Sequence, residues 1–78
     1  MDKAKFNAML MMIVPQILQL VVLNYGCHEV EASKQFYGSQ VYALLEQEDT
    51  KLWQLSPLTL FHMYDEEQKT GTITFPEG

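Results

Sequence analysis

Residues 36–67, FYGSQVYALLEQEDTKLWQLSPLTLFHMYDEE, decide the fold, because they hold six of the chain's nine aromatic residues and most of its helix stop and start signals. Glycine tolerates the left-handed backbone that ends a helix and serine caps the next one, so Gly38-Ser39 predicts one helix closing and another opening. A capping serine followed by proline at the first helical position makes Ser56-Pro57 a second start. Between them Val41, Leu44 and Leu45 follow the helical period, which predicts a helix over residues 40–47. Those three face the core, Gln40, Glu46 and Gln47 stay wet, and Tyr42 sits at the margin. Glu48, Asp49 and Thr50 form a polar turn, and Leu52-Trp53 is long enough only for a 3₁₀ or one-turn helix. From Pro57 to Thr70 the spacing predicts a last helix with Leu58, Leu60, Phe61 and Tyr64 inward. His62, Asp65, Glu66 and Lys69 are its solvated side, and Gly71 its stop.

Upstream, Glu29 and Glu31 fit the first turn of a short helix from Glu29 to Tyr37, where acidic groups complement the helix dipole. Val30, Ser33 or Lys34, and Tyr37 mark its inner stripe. The first helix opens with Asp2, capping donors at Lys5 or nearby, and closes at Gly26. Pro15 removes one helical hydrogen bond and clashes with the preceding turn, so a kink over residues 11–14 is expected rather than a break. Every residue from Ala8 to Val14 is apolar, and only Gln16, Gln19 and Asn24 add polar groups before the stop. A helix apolar all round is a buried helix, and in so small a protein that requires a second chain. Met9, Met12, Ile13, Val14, Ile17 and Val21 are therefore the candidate interface of a homodimer. Downstream, Thr72-Ile73-Thr74-Phe75 alternates polar and apolar until Pro76. It predicts an extended arm over residues 72–78, lying on the bundle through Ile73 and Phe75 or pairing with a neighbour. The expected architecture is all-α: a single domain over residues 1–78, a small bundle of about four helices with a short C-terminal arm.

Composition points the same way. A chain of 78 residues buries only about 60% of its unfolded surface, so its core needs a supplement. One cysteine, Cys27, excludes an internal disulfide and argues against a thiolate metal cage, which leaves a partner chain. Net charge is −5, and the five basic residues are scattered lysines with no arginine. Nucleic-acid binding draws on clustered cations, and base reading on arginine, so no nucleic-acid partner is expected. A helix-turn-helix regulator is the disfavoured alternative, since its reading helix over residues 40–47 would carry Glu46 and no cation. Residues 8–23 are too short and too interrupted for a membrane span, which takes about 20 apolar residues. Asp2, Asn24 and Tyr25 spoil the pattern of an export signal, so a cytoplasmic protein without a membrane partner is expected.

No motif carries chemistry. Cys27, His28 and the distant His62 are the only soft ligand set; adjacent residues diverge and a fourth ligand is lacking, so no metal is expected. Asp65-Glu66-Glu67 and Glu46, Glu48 and Asp49 read as solvated charge at a helix end and a turn. Trp53 reads as a core residue of a tiny domain. No catalytic residue and no cofactor are expected, and the chain reads as a non-enzyme.

Phe36, Tyr37, Ser39, Tyr42, Leu44 and Leu45, then Thr50, Leu52, Trp53, Ser56 and Pro57, spell F-Y-x-S-x-x-Y-x-L-L and T-x-L-W-x-x-S-P. This pattern resembles that of a group of small helical proteins of Firmicutes and related gut bacteria, with weaker similarity upstream at Glu29 and Ala32. The group has no assigned enzymatic activity, and some similar short proteins lie beside toxin-like genes. The resemblance thus implies a helical binding protein, with an antitoxin or immunity-type partner of a neighbouring gene product as the alternative to plain self-association. It supplies no catalytic residue.

Overall fold

The caps written into the sequence set the element boundaries. The computed structural model describes residues 2–73 as four α-helices: α1 (Lys3–Tyr25), α2 (Glu29–Tyr37), α3 (Gln40–Leu45) and α4 (Pro57–Thr70). Two 3₁₀ turns, Glu48–Thr50 and Leu52–Gln54, join α3 to α4. No strand occurs among the described residues, and the all-α bundle is as expected. Residues 74–78, with Phe75 and Pro76 of the expected arm, lie outside the described residues; Ile73 packs half-buried against the core.

Asp2 caps α1 through the Ala4 N–H at 3.3 Å, one residue earlier than Lys5. Gly26 closes the helix at φ 67, its N–H donating to the Val22 carbonyl. Pro15 does not split it, and 23 residues run as one helix. At 1.5 Å per residue that is about 34 Å, which matches the 35 Å long axis of the molecule, so α1 is its spine.

The buried side of α1 corrects the candidate interface. Ile13, Val14, Ile17 and Val21 are at most 8% exposed, covered by the chain's own α2, α3 and α4. Met9 is half-buried, and of the six residues only Met12 is open, at 68%. A helix without a polar face gives no periodic cue to which side meets its own bundle, and here the branched residues do.

In α2 the inner residues are Ala32 and Phe36, both fully buried, whereas Val30 and Tyr37 are exposed. Both stripes obey the helical period. The Ala32–Phe36 stripe wins because the Phe36 ring packs edge-on against Tyr64 at 5.6 Å and Tyr42 at 5.5 Å. Helix α3 ends two residues before Gln47; Val41 and Leu45 are buried and Leu44 half-buried. The Thr50 hydroxyl lies 2.7 and 2.8 Å from the Leu44 and Gln47 carbonyls and shares its proton between them, which ties the turn to the end of the short helix. Trp53 is half-buried at the core's edge, T-shaped to Phe6 at 6.3 Å, with its indole N–H on the Glu48 carbonyl at 2.9 Å. In α4 the inner face is Leu60, Phe61, Met63 and Tyr64, while Leu58 is 54% exposed instead of core.

Candidate interaction surface

The structure gives acids of the run on α4 partners on other elements and separates Cys27 and His28 from His62. Glu67 reaches across to α3, where its two carboxylate oxygens accept from the Gln40 and Val41 N–H groups at 3.0 and 3.1 Å. Ser39 Oγ accepts from the Tyr42 N–H, and the Ser39 N–H donates to the Phe36 carbonyl at 3.0 Å. The four donors open at the start of a six-residue helix, those of residues 39–42, are thereby satisfied. Asp65 accepts from the Tyr25 hydroxyl at the end of α1 and pairs with Lys69 at 2.9 Å. The Tyr25 and Lys69 hydrogen bonds hold the Asp65 carboxyl below its ordinary range. Burial, then the bond to Asp65, pushes the Tyr25 phenol up. These acids tie elements together and are not merely solvated; their role depends on partners 26 to 40 residues away, which no local pattern announces.

Cys27 is half-buried at the α1–α2 turn, while His28 and His62 are exposed on different elements. Among the described residues no three His, Cys, Asp or Glu side chains come together as a metal-binding group. Tyr64 is fully buried with its hydroxyl lacking a hydrogen-bond partner; burial, then the Glu67 charge, raises its pKa.

What remains open is the outer side of α1. From Phe6 to His28 no Asp, Glu, Lys or Arg occurs, and Met11, Met12 and Leu23 are 77%, 68% and 72% exposed. The polar groups there are partly occupied: Gln16 and Asn24 each donate to the carbonyl four residues back, at 2.8 Å. Shallow apolar depressions flank the helix. One is lined by Leu10, Met11, Val14, Pro15, Leu18, Tyr37 and Tyr42, and a separate, more polar one shares Pro15 and Leu18 with it and is lined also by Gln19, Glu29 and Ser33. A third is lined by Gln16, Gln19, Leu20, Leu23, Ser56, Pro57 and Leu58. Of the expected interface, Met12 alone lies fully on this surface; Met11, Leu23 and Leu58 were missed. Within α1 the signal that finds Met11 and Leu23 is the set of positions left over once the β-branched Ile13, Val14, Ile17 and Val21 are assigned to the core; Leu58, on α4, has no such signal. By length and composition α1 would also suffice to cross a membrane, a test that core helices of soluble proteins pass as well. Comparison with protein-family models, with curated proteins and with solved structures finds no match.

Proposed function

We propose that this chain is a non-enzymatic protein-interaction module that works as a homodimer through the outer face of α1. The observation that carries the reading is the exposure of Met11, Met12 and Leu23 on a length of helix, residues 6–25, that holds no charged residue. Single apolar residues on a surface need no explanation, but a row of them beside two apolar depressions marks a contact site. Methionine suits it, being flexible enough to fill an irregular partner surface. The small core supplies the energetic reason, since a second chain would cover apolar area that 78 residues alone leave in water.

Sedimentation velocity at micromolar concentration tests this. The expected species is a dimer of the 9.0 kDa chain, and Met11→Lys or Leu23→Glu is expected to give a helical monomer. A wild type that sediments as a compact monomer overturns the reading. Val21→Glu is the control: at a fully buried position the charge unfolds the chain rather than dissociating it.

A further inference from the structure

Lys5, Ala8, Met12, Pro15 and Gln19 are all exposed, and they alternate spacings of three and four residues. That is the seam of a two-helix coiled coil, laid on the side of α1 away from its own core. Its middle is uncharged and its ends are not alike. Lys5 stands at the beginning, and Glu29 lies beside Gln19 at the other end, lining the same depression. Among the described residues neither Lys5 nor Glu29 has an ion-pair partner.

We infer that the partner of this seam is the same seam of a second copy, crossed antiparallel about a two-fold axis at Met12. The inference rests on the self-association reading and specifies its geometry. Met12 is seven residues from Lys5 and seven from Gln19, about 10 Å each way along the helix. A two-fold crossing at Met12 therefore brings Lys5 of each copy level with Gln19 of the other, next to Glu29. Such an interface is self-complementary, and both pairs form at once. A parallel pairing would set Lys5 against Lys5 and leave Glu29 unanswered. Small or unbranched side chains at Ala8 and Met12 let the helices approach.

An anionic lipid surface fits less well: it meets a chain of charge −5 whose only cations on α1 are Lys3 and Lys5 at one end, whereas helices that lie on membranes carry a basic polar face.

The test is disulfide trapping in the full chain with Cys27→Ser, read beside sedimentation. Met12, Ala8 and Asn7 are all exposed, so their substitution leaves the core intact; Cys27 is half-buried against the core, so the Cys27→Ser chain alone, compared with wild type by sedimentation and circular dichroism, is the reference for all three. Met12→Cys is expected to cross-link into a dimer under mild oxidation, while Ala8→Cys and the off-seam Asn7→Cys stay monomeric on a reducing-agent-free gel. Lys5→Glu and Glu29→Lys should each weaken dimerisation about three- to tenfold, and the double variant should restore it. Cross-linking at Ala8 as strong as at Met12 indicates a parallel pair and overturns the geometry while sparing the dimer. A dimer in which Met12→Cys does not cross-link does the same. A monomeric wild type removes both readings; if it also floats with phosphatidylcholine–phosphatidylglycerol vesicles, lipid is the occupant.

Discussion

Glu67 shows how much a single carboxylate can organise. It fills the first two donor positions of α3 from another helix, at 3.0 and 3.1 Å, while Ser39 fills the third. Charge-assisted bonds to backbone N–H groups are among the stronger hydrogen bonds, and leaving the donors unmet adds a desolvation penalty. Glu67→Ala should therefore cost about 1–3 kcal/mol, read as a lowered urea midpoint with unchanged slope, and Glu67→Gln should lose less. Tyr64 predicts the opposite sign. Its buried hydroxyl has no partner, so Tyr64→Phe keeps the ring packed on Phe36 and removes an unsatisfied group. Thermal unfolding should show an unchanged or raised Tm; a clear drop would mean the hydroxyl has a role this packing does not explain.

At the scale of elements, local chemistry and long-range packing divide the work. Ser39, Ser56-Pro57 and Gly71 were legible as boundaries because a cap or a left-handed stop is a property of adjacent residues, whereas Gly38 ends α2 at φ −89 without the left-handed turn expected of it. Inward faces were less legible. Helix α2 offers two stripes of equal period, and only the ring contacts of Phe36 choose between them. Helix α1 offers no polar face, so its core side is set by what packs on it. This is why Ile13, Val14, Ile17 and Val21 read as an interface and turned out to be core. Pro15 carries a testable cost here. Sitting exposed inside a continuous helix, it denies the Met11 carbonyl its hydrogen bond. Pro15→Ala restores that bond and should raise stability by about 1–3 kcal/mol, measured by urea unfolding. No gain would mean that the helix is relaxed around the proline.

For the molecule as a whole, Tyr25 and Asp65 couple the spine α1 to the last helix α4, and the coupling is pH-dependent. The folded pKa of Asp65 is lowered from its ordinary 3.8, so its contribution is present above that value and is lost as pH falls through the lowered one. The Tyr25 phenol is raised, so its contribution is present below pH 10.0 and declines above it as the unfolded chain ionises. Urea midpoints across pH should thus show an acid limb that Asp65→Asn flattens and an alkaline limb that Tyr25→Phe flattens. Limbs unchanged by both variants would place the linkage elsewhere. Lys69 is 71% and Tyr25 39% exposed, so solvent screening keeps both effects modest.

The span between Gln40 and Glu67 also sets an order of events on the ribosome. Residues 40–45 are synthesised 27 residues before the carboxylate that completes their first turn. At about 5–20 residues per second, that is a wait of roughly one to five seconds. A six-residue helix is too short to persist alone. Helix α3 therefore gains its full set of N-terminal hydrogen bonds only when α4 has emerged and docked.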